Sequence, residues 1–321
     1  MARALDLRVV AFGGGTGLPV LLRGLRDRVG DLSAVVTVAD DGGSSGRLRH
    51  ELGVAPPGDV RNCLVALAGR KKLAEVFDYR FDAGELSNHT VGNIIIAALA
   101  DMDGGFCEGV ERASRFLRIK GRVFPAATES LTLLVSYTDG TCARGESAAV
   151  VAGKKISAVA VEPAGAPAPE RAVEAVRRAD VVVLSPGSLF TSTIPALLGD
   201  GMREALAEFE GPVVYVANVM TQPGETDGFA LSDHVRALMD HAGPCLTDVL
   251  VHSGGFSREV VERYGEEGAV PVEVDREVLE SLGVAVRGAS LVSEGDDGRR
   301  GLRHDAARLA EEVCRVGLVR L

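Results

Sequence analysis

Six polar segments stand where apolar runs end, and their residue types suit a phosphorylated ligand. The first, Gly13-Gly14-Gly15-Thr16-Gly17, follows the run Leu7 to Phe12 and opens a helical pattern. Glycines let the backbone approach an anion closely, and the amides at a helix start point at it with the helix dipole behind them. The segment is not GxGxxG, because Leu18 stands where the third glycine would be, and no Lys follows as in a P-loop. A tight strand-to-helix turn is the plainer alternative.

Asp40 and Asp41 come just after the second run, Ala34 to Val38, in VADDGGSSGRLR. Paired acids beside bound phosphates suit Mg²⁺ or ribose hydroxyls. Gly43 and Ser44 add an amide and a hydroxyl, and Arg47 a cation for phosphate oxygens. Asp-Gly-Gly is equally ordinary turn chemistry. In PPGDVRN, ending at Asn62, Asp59 either caps a helix or joins Asp40 and Asp41 around a divalent ion, and spacing does not separate the two. His89, in SNHTVGN ending at Asn93, is the one histidine set among glycine and amides at a helix start. It is a candidate catalytic proton carrier or phosphate donor, with a solvated cap as the alternative. The last two segments are SPGSLFTS, with Gly187, Ser188 and Leu189, and NVMTQPGET, with Asn218, Thr221 and Gln222. Small hydroxyl and amide side chains there suit a ribose, a base edge or phosphates.

These segments meet only if the elements between them form a parallel sheet. Apolar runs recur at Leu7 to Phe12, Ala34 to Val38, Ile156 to Val161, Val181 to Leu184, Val213 to Val216 and Val249 to Val251. Most are apolar on both faces, which requires helices on both sides and predicts a three-layer α/β/α sandwich around a mostly parallel, doubly wound, Rossmann-like sheet. Amphipathic helices are expected at Leu18 to Val29, Glu170 to Ala179, Ala196 to Phe209, Ser232 to His241 and Arg303 to Val316. An inserted helical and hairpin segment, about 54–150, should roof one sheet edge, with a turn at Asp139 and Gly140. Pro163 to Pro169 reads as a linker or a crossover loop, and residues 1–321 as one domain.

Composition narrows the partners. A chain of 321 residues, 46% hydrophobic, can bury a large core. Its formal charge of -10 offers no general attraction to nucleic acid or anionic lipid. With 4% aromatic residues and no Trp, platforms for stacking bases are scarce. Five scattered cysteines, never in a CxxC pair, argue against a disulfide framework or thiolate metal site and for a reducing cytoplasm. The N-terminal segment lacks a signal-peptide pattern, and the longest apolar run, Ile94 to Ala100, is far short of the ~20 residues that cross a bilayer.

The joint set GGGTG, TVADDGGSSGRLR, PPGDVRN, YRF, NHTVGN, PGSLFTS and NVMTQPGET closely resembles the bacterial gluconeogenesis factor family (YvcK type), related to the 2-phospho-L-lactate transferases (CofD type). The resemblance runs from about Val9 to the last helix. It implies a protein that binds UDP-sugars, notably UDP-N-acetylglucosamine, and acts in carbon metabolism and cell-wall morphogenesis without an established reaction. It also implies Tyr264 and Arg303 as UDP-sugar contacts, a protein partner in cell-wall synthesis and a homo-oligomer. The transferase branch implies Mg²⁺, with Asp41 and Asp59 as its tentative ligands here, and moves a phosphate-linked group from a nucleoside diphosphate carrier. The sequence departs from that branch in its GGSSGRLR continuation and lacks an aromatic platform for a deazaflavin acceptor. A regulatory UDP-sugar sensor is the leading expectation and a Mg²⁺-dependent transferase the rival. A nicotinamide-dependent oxidoreductase is disfavoured by the missing third glycine.

Overall fold

The computed structural model describes residues 5–151, 153–294 and 302–319; the first four residues of the N-terminal segment lie outside them. Strand β1 (Leu5–Gly13) leads through the glycine segment into α1 (Gly17–Leu25), which returns the chain to β2 (Val29–Val36). Five helices follow, α2 (Gly43–Leu52), α3 (Gly58–Leu67), α4 (Lys71–Asp78), α5 (Val91–Asp103) and α6 (Phe106–Leu117), before β3 (Arg122–Pro125). Three strands then form a separate antiparallel sheet: β4 (Thr132–Tyr137), β5 (Cys142–Arg144) and β6 (Ile156–Glu162).

The second half resumes the strand-helix alternation. After α7 (Glu170–Arg177) come β7 (Val181–Leu184), a π turn at Leu189–Thr193, a 3₁₀ turn at Pro195–Leu197, α8 (Met202–Glu208) and β8 (Val213–Val216). Then follow α9 (Leu231–Ala242), β9 (Asp248–His252), α10 (Arg258–Glu266), α11 (Arg276–Ser281) and β10 (Ala285–Ala289). The short pair β11 (Val292–Glu294) and β12 (Leu302–His304) precedes α12 (Ala306–Val319).

The main sheet has the order β10-β9-β8-β7-β1-β2-β3, with every pair parallel. Strand β1 lies near its centre, Ala11 facing Ala34 of β2 on one side and Val183 of β7 on the other. The runs VVVL in β7 and VVYV in β8 are buried at every position, as a sheet covered on both faces demands. From β1 the chain winds outward to β2 and β3, and from β7 it winds the opposite way. This reversal is what sets the site.

The expected α/β/α architecture is therefore present, with five local corrections. The run Ile156 to Val161 is a strand, but its alternating burial suits the antiparallel sheet, where β6 pairs with β4. Within 54–150, β3 is the seventh strand of the main sheet, so the segment is not a roof alone. The helix expected at Ala196 to Phe209 is broken, because Gly201 takes φ +82° and α8 starts only at Met202. Arg303 lies in β12, not in a helix; Asp305 accepts from the amides of Ala307 and Arg308 at 2.9 and 3.0 Å and so starts α12 behind it. The first helix is also shorter than expected and stops at Leu25, since Val29 already begins β2. The hairpin turn stands as expected, Gly140 donating to the Tyr137 carbonyl with φ +82°.

Helix α1 buries Leu18, Leu21, Leu22 and Leu25 against the sheet, each worth roughly 1.5–3 kcal/mol when fully withdrawn from water. It also packs on α12, and Gly24 permits that contact: a β-carbon there would overlap the Ala306 carbonyl and meet the Ala310 methyl at 2.9 Å. Gly24→Ala is expected to lower the unfolding free energy by about 1–3 kcal/mol through overpacking. Equal denaturant midpoints for variant and parent would contradict this contact.

Candidate functional site

The carboxyl ends of β1 and β7 are where the strand order reverses, so their loops leave on opposite sides of the sheet and open a crevice between them. The loop after β1 meets the loop after β7 there at van der Waals range. A β-carbon on Gly17 would overlap the Pro186 carbonyl, so only glycine lets the start of α1 sit against that turn. Helix α1 has no side-chain cap, which leaves its first amides for the crevice. The resulting cleft holds about 260 Å³ and is lined by Thr16, Gly17, Gly187, Asn218, Thr221, Gln222 and Tyr264, together with Pro186, Met220 and His304.

The loops after β7 and β8 are stitched into one wall. Gly187 donates to Asn218 Oδ1 at 3.0 Å and its carbonyl accepts from Asn218 Nδ2 at 2.7 Å. Gln222 Nε2 donates to Ser188 Oγ at 2.9 Å. The amides of Phe190 and Thr191 both donate to Glu225 Oε1, at 2.8 and 3.1 Å. Asn218 and Ser188 thus use polar atoms to hold the wall, and Leu189 is fully buried, so its side chain belongs to the core and offers no ligand contact. Thr221 is tied both ways to Val270. Burial pushes the Glu225 carboxyl up to about 7 against the lowering effect of those two amides and the Ser188 side chain.

On the other side of the glycine segment lies an acidic group. Gly15, at φ +57°, donates its amide to Asp59 Oδ2 at 2.7 Å. At Gly14 a β-carbon would stand 2.5 Å from that same oxygen and 2.6 Å from the Thr37 methyl. Gly13 ends β1 beside Ser185, leaving no room for a side chain. Asp40 accepts from the Gly42 amide at 2.8 Å, and Asp41 accepts from Ser147 through both its amide and its hydroxyl, at 2.8 and 2.6 Å. Burial raises the Asp59 carboxyl, with the Gly15 amide and the Asn62 side chain opposing and Asp40 adding. Glu146 is raised too, first by burial and then by Asp40, Asp59 and Asp41. Asn62 also accepts from Arg61 at 2.6 Å.

This arrangement bears on Mg²⁺. Asp59 Oδ2 accepts from a loop amide and Asp41 Oδ1 from Ser147, and among the described residues no three His, Cys, Asp or Glu side chains are arranged to hold a metal ion. As they stand, the residues expected as ligands do not form a metal site.

The remaining expected residues gather at the starts of α2 and α5. Ser44 Oγ lies 2.9 Å from His89 Nδ1 and accepts from Asn93 Nδ2 at 3.1 Å, all three side chains being buried. The Ser44 hydroxyl has one proton and two lone pairs, so it pairs with either tautomer of the His89 ring while accepting from Asn93. Burial, aided by Arg47, lowers the His89 pKa and favours the neutral ring. Arg47 itself is anchored on the Ser87 carbonyl at 2.6 Å, so its fork is already partly used. Gly43 starts α2 in the open at φ +50°.

Tyr264 reaches the cleft, where its hydroxyl accepts from the Leu302 amide at 3.1 Å. Arg303 does not line the cleft: along β12, Leu302 and His304 face it and the exposed Arg303 between them points the other way. Reasoning from sequence missed three residues, Glu146, Glu225 and His304. Glu225 lies inside the segment NVMTQPGET and His304 directly follows Arg303, whereas Glu146 is recruited by the fold of a hairpin and left no local signal.

The profile of the CofD family, described as 2-phospho-L-lactate transferase CofD, matches residues 9–292. The chain belongs to the CofD family. Within it, the chain is 47% identical over 308 residues to a gluconeogenesis factor of Halalkalibacterium halodurans, covering 95% of both proteins, and 42% identical to that of Bacillus subtilis, covering 94% and 96%. A crystal structure of a UPF0052 family protein from Bacillus halodurans, 46% identical, superposes with a TM-score of 0.91 over 95% of this chain and 98% of that one. The family resemblance and the fold read from the motifs are both borne out.

In this CofD-family fold the Glu225 carboxyl titrates near neutrality, which gives stability a pH signature. Its folded pKa, about 7, lies above the usual carboxyl value of 4.5, so the folded state binds the extra proton between them and stability falls as pH rises through that window. Glu225→Gln keeps an acceptor for Phe190 and Thr191 but cannot ionise. The parent is expected to lose up to about 3 kcal/mol more than the variant between pH 4.5 and 7.5 in denaturant titrations. Parallel pH profiles would contradict the assignment.

Proposed function

We propose that this CofD-family protein binds a nucleoside diphosphate sugar, UDP-N-acetylglucosamine being the leading candidate, and acts as a regulatory gluconeogenesis factor in carbon metabolism and cell-wall morphogenesis. The observation that carries this reading is the shared cleft. The uncapped start of α1 faces the stitched wall of the β7 and β8 loops across about 260 Å³, with Tyr264 closing one side. A helix start favours the diphosphate, and amide and hydroxyl groups along the wall suit the sugar. The names of the two curated relatives support the metabolic role. Among the described residues no helix is long and apolar enough to cross a membrane, in keeping with a cytoplasmic setting.

A second reading, a transferase of a phosphate-linked group, is favoured by the family match and by the buried Ser44-His89 pair beside the acidic group. In that case an acceptor hydroxyl would attack the phosphorus that carries the transferred group, the diphosphate P–O bond would break to release the nucleoside monophosphate, and His89 would take the hydroxyl proton.

Thr16 is exposed at the mouth of the cleft, so Thr16→Glu leaves the core intact and even suits a helix start, yet it places a charge against the diphosphate. By calorimetry, UDP-N-acetylglucosamine is expected to bind the parent at micromolar levels and the variant at least about 10-fold more weakly. No heat with the parent at millimolar ligand would overturn the proposal. Recovery of the ligand intact after incubation supports the regulatory reading, and its conversion when a hydroxyl acceptor is present supports the transferase.

A further inference from the structure

Strand β3 ends the main sheet and pairs with β2 alone. Ala126 donates to the Val36 carbonyl, and alternate residues of a strand bond to the same neighbour, so Arg122 and Phe124 also direct their main-chain groups at β2. Val123 and Pro125 direct theirs the other way. Among the described residues nothing pairs with the Val123 amide, the Val123 carbonyl or the Pro125 carbonyl. Pro125 has no amide proton, so this edge offers one donor and two acceptors.

A groove of about 350 Å³ runs along the strand, lined by residues 121–125. Cys107, Glu108 and Glu111 of α6 form one bank, and Glu170 and Arg171 at the start of α7 form the other. Helix α7 lies over the face of the sheet that carries Arg8, Ser33 and Arg122, whereas α6 belongs with α1, α3 and α12 on the opposite face. The groove shares no residue with the nucleotide cleft.

The charges on the banks do not balance. Glu111 is shared by Arg115 and Arg171, and Arg122 is held by Asp31 and Ser33. That leaves the exposed carboxylates of Glu108 and Glu170, one on each bank, without an ion-pair partner among the described residues. A recess between two helices admits one extended chain. The β3 of a second copy, sunk between its own α6 and α7, does not fit it.

We propose that this groove takes an extended segment of a partner protein, which adds to β3 as an eighth strand and sets basic side chains against Glu108 and Glu170. In strand addition the main-chain bonds supply affinity and the side chains supply specificity. Successive side chains of a strand point to opposite faces, so two neighbouring basic residues meet the two banks.

The probe is acetyl-Thr-Val-Lys-Lys-Val-Thr-amide, titrated by calorimetry against its analogue with glutamine in place of both lysines. The parent should bind the lysine peptide at about 0.1 mM and the glutamine peptide about 3- to 10-fold more weakly. The double variant Glu108→Gln, Glu170→Gln should bind both peptides as the parent binds the glutamine one, a result that a misfolded protein cannot give. Methylating every second amide nitrogen of the lysine peptide should cost at least about tenfold in one of the two alternating registers and less than about twofold in the other. No binding at millimolar peptide, equal losses in both registers, or a double variant that keeps the lysine preference would overturn the proposal. Self-association of the parent that the peptide disperses would give the groove to a second copy and overturn it as well.

Discussion

The site depends on one topological constraint, the reversal of strand order between β1 and β7. Because every strand of the main sheet runs the same way, all of its loops that follow strands emerge at one rim. Because the winding changes direction between those two strands, their loops part and leave a crevice where backbone amides are not covered by a crossing chain. Gly17 against the Pro186 carbonyl shows how closely that rim is packed. A fold with the same elements but a single winding direction would place the glycine segment under a neighbouring connection.

Around this crevice the chain spends polar side chains mainly on itself. Asn218, Ser188 and Glu225 hold the β7 and β8 loops together, and Asp59 holds Gly15. These bonds fix a wall and a loop before any ligand arrives, which lowers the ordering cost of binding. The acidic group is the counterpart: Asp40, Asp41, Asp59 and Glu146 gather so closely that burial and mutual repulsion raise Glu146. Such a concentration of like charge opposes folding, and the amides of Gly15, Gly42 and Ser147 offset part of it.

Much of this was legible in the sequence, for identifiable reasons. The runs at Val181 to Leu184 and Val213 to Val216 are apolar on both faces and match β7 and β8 residue for residue. The run Ile156 to Val161 was legible as a strand but not as part of a second sheet, because pairing partners at β4 are set by tertiary structure and the two sheets use the same β-branched residues. At the site, glycine and small polar residues after a strand announced the rim correctly. Residue types did not tell which polar atoms are consumed by neighbours: Asn218 reads as a ligand contact and serves as a brace. Arg303 and His304 show the limit most sharply, since a one-residue step along β12 reverses which side chain meets the cleft.

The most direct test of the central claim is amide hydrogen exchange with and without UDP-N-acetylglucosamine. If the rim holds the nucleotide, slowing should appear together in residues 14–18, 186–191 and 218–226, three stretches far apart in the chain. Protection confined to one of them, or falling on the opposite end of the sheet, would contradict the account.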